Sequence, residues 1–227
     1  MTTAVVIVAG GSGSRMGTDV KKQFQSLCGV PVIVRSLQLF SRQPMIGTIV
    51  AVVPESDIES TRKLLNSYEL ECVVITAGGK RRQDSVRNGL QLIQGENRVI
   101  IHDAARPLTS DHLIDSLLAV GKLHPAVICA IPVTDTIKQI DDTGHVTGTI
   151  PRDCLRAVQT PQLFDATLLR MLVEEFDAVD VSDDAAFFEL KGIPVYCIMG
   201  EETNIKLTTQ ADLLRAQLII EQRMSDV

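Results

Sequence analysis

The chain has 227 residues, 45% of them hydrophobic, with a net charge of −6 and a pI near 5.2. That content suffices for one sizeable core, and the acidic balance argues against a broad basic face for nucleic acid. No run reaches the ~20 apolar residues of a membrane span, Met1-Thr2-Thr3 lacks the basic region of an export signal, and two Tyr, six Phe and no Trp leave little for base stacking.

In chain order, Ala4–Val8 is an unbroken apolar run, suited to a strand buried on both faces of a parallel sheet. It breaks into Ala9-Gly10-Gly11-Ser12-Gly13-Ser14, where small residues let backbone N–H groups approach a ligand, and the first cations beyond are Arg15, Lys21 and Lys22. Val30-Pro31 opens a predicted helix to Phe40, with Val32, Ile33, Leu37 and Phe40 at helical spacing. Thr48–Val53 reads as a strand, Asp57–Asn66 as a helix and Cys72–Ile75 as a short strand ending in Thr76-Ala77-Gly78-Gly79. A helix follows to about Ile93, then a strand over Arg98–Ile101 running into His102-Asp103-Ala104-Ala105-Arg106-Pro107. Ser110 is placed to cap a helix through Leu123, and Ala126–Ile131 is a strand stopped by Pro132. Thr136–Ile140 and Val146–Ile150 form a predicted hairpin that projects and needs a surface to pack on. Helices over Leu168–Phe176 and Asp184–Leu190, a strand over Pro194–Met199 and a closing helix over Leu207–Met224, with Leu213, Leu214, Leu218 and Ile219 on one side, complete the chain. The alternation predicts a single α/β domain over residues 1–227, Rossmann-like, with a mostly parallel sheet, helices on both faces and a β-arm at about 134–155. The polar loops at three strand C-termini mark the ligand edge.

The first loop fails two nucleotide patterns. Met16 stands where a dinucleotide fingerprint needs its third small residue, the acid expected after the second strand is replaced by Val53-Pro54, and the Walker Gly-Lys-Ser/Thr is replaced by Arg15-Met16-Gly17. The five cysteines (28, 72, 129, 154 and 197) show no Cys-x-x-Cys and read as thiols of a reducing compartment. For the remaining motifs the residues alone leave a structural alternative open: Asp84 or Ser85 capping a helix, an Asp103–Arg106 ion pair bracing its loop, Ser182 as an N-cap. His102 reads as structural.

Ala9–Met16 followed by Lys22-Gln23-Phe24, with Arg82-Gln83-Asp84-Ser85-Val86, His102–Pro107, Pro132–Lys138, Thr160-Pro161-Gln162 and Asn204-Ile205-Lys206-Leu207-Thr208, resembles the bacterial cytidylyltransferases of the isoprenoid and polyol-phosphate branch, in order along the whole chain. The resemblance implies transfer of CMP from CTP to 2-C-methyl-D-erythritol 4-phosphate, with ribitol 5-phosphate as the near alternative acceptor. A CTP-sensing module without turnover is the alternative of another class. The chemistry suits the composition: a phosphate monoester with a second pKa near ~6 is already ionised and needs no general base, so positioning and charge neutralisation carry the reaction.

By resemblance, Arg15, Lys22, Arg152 and Lys206 are the catalytic cations. Ala9, Gly10, Gly11, Ser12, Gly13, Gly79, Arg82, Asp84, Ser85, Asp103 and Ala104 bind CTP, with the Gly79 backbone and Ser85 hydroxyl reading the base. Arg106, Thr136, Thr160 and Ser182 bind the acceptor. Lys80 stands where some relatives have an acid, and Ser182 where threonine is expected. Mg²⁺ is the expected cofactor, held mainly by CTP phosphates with Asp103 as a contributor and no dedicated carboxylate cluster. The resemblance also implies a homodimer through the β-arm, with Thr136 and Arg152 able to act in the partner's site. A bacterial cytoplasmic location is expected, with no nucleic-acid or membrane partner.

Overall fold

The computed structural model describes residues 2–10 and 21–225, the Lys22 side chain excepted. β1 (Thr3–Val8) is the spine of the sheet, its six residues all buried. Alternation along it feeds two cores: Val5 and Ile7 face one side, Ala4, Val6 and Val8 the other. After the turn Lys22–Phe24, the short strands β2 (Ser26–Leu27) and β3 (Val30–Pro31) pair antiparallel and lead into α1 (Val32–Ser41). Pro31 is thus the last residue before the helix, and Val32, Ile33, Leu37 and Phe40 are all fully buried, as their spacing requires.

β4 (Ile46–Val53), α2 (Ile58–Asn66), β5 (Val74–Ala77), α3 (Arg82–Leu90), β6 (Arg98–Asp103), α4 (Asp111–Val120) and β7 (Ala126–Pro132) follow in alternation. Ser110 caps α4 as expected, its hydroxyl accepting from the Leu113 N–H at 3.0 Å. β8 (Ile137–Ile140) and β9 (Val146–Ile150) form the two-stranded hairpin, separate from the main sheet. β10 (Arg156–Asp165), α5 (Ala166–Glu175), α6 (Ala185–Leu190), β11 (Tyr196–Met199) and α7 (Gln210–Ser225) complete the fold.

The seven-stranded sheet has the order β11-β7-β10-β6-β1-β4-β5. β1 runs parallel to β4 and β6, β5 to β4 and β11 to β7, whereas β10 is antiparallel to both neighbours. Helices α1, α2 and α4 supply Leu37, Phe40, Leu65 and Leu117 to one core; α3, α5 and α6 supply Val86, Leu90, Leu169, Phe187 and Phe188 to the other. Both faces are therefore covered, as a largely parallel sheet requires.

Two expectations are corrected. β10 has no counterpart in the sequence reading, yet it sits in the middle of the sheet. Its sequence, RAVQTPQLFD, holds a proline that reads as a break. The fold accommodates it because the ladder to β7 shifts register between Gln159 and Leu163, so Pro161 lies where no N–H is required. In α7, Leu214 and Leu218 face outward, 63% and 66% exposed, while Leu213 and Ile219 join Ala216 and Ile220 against a third small core with Leu27, Val32, Leu108 and Leu207.

Candidate active site

The loops after β1, β5 and β6 meet at one edge of the sheet, as the polar strand ends predict. Two cavities open there. The first, of about 420 Å³, is lined by Ala9, Gly10, Gln23, Gly79, Lys80 and Ser85 among others. The second, of about 410 Å³, is lined by Arg106, Gln159, Thr160, Gln162 and Ser182. Arg82, Asp103 and Lys206 line both.

Those three residues form a row of alternating charge that separates the cavities. Lys206 Nζ lies 2.6 Å from Asp103 Oδ2, Arg82 Nε 3.3 Å from Asp103 Oδ1, and Arg82 Nη1 2.7 Å from Asp184 Oδ2. Asp103 ends β6, Arg82 begins α3, Asp184 precedes α6, and Lys206 lies between β11 and α7, where the Leu207 N–H donates to the Ala105 carbonyl at 2.8 Å. Burial would lift the Asp103 pKa, but Arg82 and Lys206 outweigh it and hold the carboxyl well below the usual range. Burial likewise opposes the charge of Arg82, yet Asp184 and Asp103 raise its pKa above the ordinary arginine value. Asp184 is wholly buried, so desolvation raises its pKa against the pull of Arg82, and its Oδ1 has no partner among the described residues. The anticipated Asp103–Arg106 pair is not formed: Arg106 Nη1 donates to the Asn204 carbonyl at 2.7 Å, and burial lowers its pKa.

The Gly78–Ser85 loop is built for rigidity. The Arg81 backbone N–H donates to Asp84 Oδ2 at 2.9 Å, and the Arg81 guanidinium grips Asp84 and Asp177. Asp84 is therefore a capping group, outside both cavity linings, as the structural alternative for it held. The Ser85 hydroxyl accepts the Gly79 N–H at 3.0 Å. That bond occupies the Gly79 N–H, so of the backbone expected to read a base the Gly79 carbonyl remains. A Cβ on Gly79 would stand 2.2 Å from the Asp84 Cβ, so only glycine fits this turn.

His102, wholly buried, packs edge-on against Phe40. Its Nε2 lies 3.1 Å from the Arg106 carbonyl and therefore carries the proton, leaving Nδ1 to accept from the Thr160 hydroxyl at 3.3 Å. Burial lowers its pKa to about 4. Thr160 Oγ1 also accepts the Asp103 N–H at 3.0 Å. The hydroxyl proton of Thr160 is thus committed to His102, which corrects its assignment as a donor to the acceptor; Thr160 still lines the second cavity. Ser182 is exposed on that cavity's rim and does not cap α6: Asp183 Oδ1 accepts the Ala186 N–H instead.

Ala9, Gly10 and Ala104 line the first cavity, with Ala104 held by its N–H to the Val8 carbonyl at 3.0 Å. Gly11, Ser12, Gly13 and Arg15 lie outside the described residues. Lys22 heads the turn Lys22–Phe24, and its side chain is likewise outside. Lys21 is tied to Asp57 at 2.6 Å. Thr136 and Arg152 are exposed on or beside the arm; the Arg152 guanidinium holds the Thr134 carbonyl, and neither residue lines either of these two cavities. Sequence reasoning missed Gln23, which is 2% exposed on the first cavity with its side-chain nitrogen unpartnered among the described residues. It also missed Asp184, Gln159 and Asn204, which carry no local signal that separates them from other polar residues of the chain. All five cysteines are free. Among the described residues, no helix is long and apolar enough to cross a membrane, and no three His, Cys, Asp or Glu side chains are grouped to hold a metal.

The chain matches the family model of 2-C-methyl-D-erythritol 4-phosphate cytidylyltransferase over residues 3–222. It is similar to the protein of that name from Symbiobacterium thermophilum, 40% identical across 96% of this chain and 93% of the relative. The protein of that name from Halalkalibacterium halodurans is 37% identical across 98% and 99%. It is also 41% identical to the bifunctional enzyme IspD/IspF of Desulfotalea psychrophila, across 97% of this chain but 57% of that longer protein, so it spans little more than half of it. Its fold superimposes on the crystal structure of 4-diphosphocytidyl-2C-methyl-D-erythritol synthase from Anaerococcus prevotii with a TM-score of 0.85 at 31% identity, covering 97% and 96% of the two chains. For the 2-C-methyl-D-erythritol 4-phosphate cytidylyltransferase of Thermus thermophilus the TM-score is 0.80 at 28% identity. The match runs along nearly the full chain in both sequence and fold, and the chain belongs to the 2-C-methyl-D-erythritol 4-phosphate cytidylyltransferase family.

Proposed function

We propose that the two cavities are the two halves of one cytidylyl-transfer site, with CTP in the first and 2-C-methyl-D-erythritol 4-phosphate in the second. The single observation that carries this reading is the charge row Lys206–Asp103–Arg82, which both cavities share. A phosphate oxygen of the acceptor attacks the α-phosphorus of CTP, the bond to the β-phosphate oxygen breaks, and pyrophosphate leaves with that electron pair. The attacking monoester is ionised near neutral pH, its second pKa being ~6, so no residue needs to take a proton. Two polyanions must instead approach each other, and cations on the dividing wall offset their repulsion.

The Lys206 ammonium, 43% exposed and reachable from both sides, is the group best placed to exchange Asp103 for a phosphate oxygen. Arg82, locked between two carboxylates, holds its place as fixed positive charge, and Arg106 faces the second cavity for the acceptor phosphate. Ala9, Gly10 and the Gly79 carbonyl offer backbone groups to the nucleotide, and the rigid Arg81–Asp84 cap holds that edge still. Resemblance assigns Arg15 and Lys22 to the triphosphate, and Thr136 and Arg152 to a site completed across a homodimer through the arm. The exposed Ile140 and Val146 of the hairpin, 62% and 60% exposed, suit burial against a second copy.

Mg²⁺ fits this donor set through one residue. Asp103 is an ionised oxygen ligand on the cavity wall, and each of its oxygens keeps a lone pair beyond its present contact. With no larger cluster among the described residues, the phosphates would supply the remaining ligands. When bound, the ion neutralises charge across the phosphate oxygens. The reading accords with a bacterial cytoplasmic enzyme.

Pyrophosphate release from CTP with each polyol phosphate is the direct test. Turnover is expected with 2-C-methyl-D-erythritol 4-phosphate. Turnover only with ribitol 5-phosphate, or CTP binding without turnover, overturns the reading.

A further inference from the structure

Asn204 is wholly buried, lines neither cavity, and lies two residues before Lys206. Each of its polar groups is engaged. Nδ2 donates to the Thr160 carbonyl at 2.9 Å and, at a longer 3.4 Å, to Gln159 Oε1. Oδ1 accepts the Thr109 hydroxyl at 2.9 Å. The backbone N–H donates to the Glu201 carbonyl at 3.0 Å, and the backbone carbonyl accepts from Arg106 Nη1 at 2.7 Å. These partners come from three pieces of chain: the bulge of β10, the loop after β6, and the segment after β11. An amide alone offers donors toward β10 and an acceptor toward Thr109 at this size. A buried amide whose own donors and acceptors are all engaged is held in one orientation.

Lys206 is thereby anchored on one side by Asn204 and on the other by the bond from the Leu207 N–H to the Ala105 carbonyl. Arg106, the other cation on the second cavity, hangs from the Asn204 carbonyl itself. We propose that Asn204 is a positioning residue that sets the spacing of Arg106 and Lys206 for the acceptor phosphate. The proposal rests on the reading of the second cavity as the acceptor site. Two cations that grip one phosphate must both arrive at contact distance, so a shift of their shared anchor weakens acceptor use. The nucleotide cavity shares Lys206 but not Arg106, and takes most of its lining from residues after β1, β5 and β6, so it is affected less.

The test uses the full chain as wild type, Asn204→Ala and Asn204→Asp, with pyrophosphate release followed from pH 5.5 to 8 and thermal melts run alongside. At pH 8 both variants are expected to raise the acceptor KM by about 10-fold or more while the CTP KM stays within about twofold. Asn204→Asp, compared with wild type at each pH, is expected to recover at the acid end, where a protonated carboxyl regains a donor toward the Thr160 carbonyl; Asn204→Ala is not. An acceptor KM within about twofold of wild type, equal loss for both substrates, or equal pH behaviour of the two variants overturns the proposal. Should either variant fail to fold, Thr109→Val removes only the hydroxyl that orients the Asn204 amide; a rise of about threefold in acceptor KM is expected, and none overturns the proposal. Wild-type turnover with ribitol 5-phosphate alone, or no turnover at all, instead overturns the functional reading, before any variant is compared.

Discussion

The two halves of the sheet solve the same problem differently. On the β6-β1-β4-β5 side, the strands are parallel and the first cavity is made by backbone at their C-terminal ends: Ala9, Gly10 and Gly79. On the β11-β7-β10 side, one antiparallel strand is inserted, and the second cavity is made by side chains its bulge re-aims, Gln159 and Thr160, together with Gln162 beyond it. Backbone-built sites need small residues in tight turns and leave a motif in the sequence. Side-chain sites need distant segments brought together and leave scattered polar residues. The charge row at the seam belongs to both halves, so changes there and changes within either half separate the two roles.

The largest effect is expected from Lys22→Ala on the nucleotide half, where loss of a transition-state charge partner lowers kcat by about 10³-fold; a kcat near wild type in single-turnover assays removes that half's claim to the triphosphate. At the seam, Arg82→Met strips from buried Asp184 the cation it pairs with and is expected to cost about 3–5 kcal/mol in urea unfolding at pH 7. Burial raises the Asp184 pKa in the fold, so the unfolded chain gives up this proton at lower pH. The loss in the variant should therefore shrink as pH falls and grow as pH rises through the raised pKa. A pH-independent loss breaks the assignment of the cost to Asp184.

His102 joins the halves beneath Asp103 and Thr160, and its lowered pKa makes the opposite prediction. The unfolded chain binds a proton near the ordinary 6.5 whereas the folded one waits until about 4, so about 3 kcal/mol of stability present above that window is lost as pH drops through it. Denaturant titrations of wild type and His102→Gln at pH 7 and 4.5 check it: the variant should lose that part of the slope. The smallest effect is expected from Gly79→Ala, where the new methyl meets Asp84 and shifts the loop at about 1–3 kcal/mol. It should raise the CTP KM and leave the acceptor KM unchanged; the reverse pattern would exchange the roles of the two cavities.

Much of the parallel half was legible in the residues alone. Ala4–Val8 is a run of buried apolar side chains suited to a two-sided strand, and Ile33, Leu37 and Phe40 recur at helical spacing against the main core, with Val32 turned to the small core beside α7. The Gly78-Gly79 turn announces itself because a Cβ there would crowd Ser85 and Asp84. β10 was not legible, because Pro161 argues locally against a strand and only the register shift with β7 removes the conflict. The same limit explains Asp84 and Thr160, whose polar groups suit a ligand as well as a neighbour. Which of these each would serve was settled by Arg81 three residues away and His102 fifty-eight away.

What the sequence by itself determined is therefore local: the strand and helix periods, the glycine turns at the ligand edge, the absence of a long apolar span, and the ordered motifs that mark the family. What only the tertiary structure decided is pairing. Asp103 takes Arg82 and Lys206 rather than Arg106, Asp184 is buried against Arg82, and Asn204 ties β10 to both acceptor-side cations. Periodicity and turn chemistry act over a few residues and can be read along the chain. Ion pairs and hydrogen bonds join positions as far apart in sequence as Asp103 and Lys206 or Leu108 and Arg223, and their partners exist only once the strands have taken their order in the sheet.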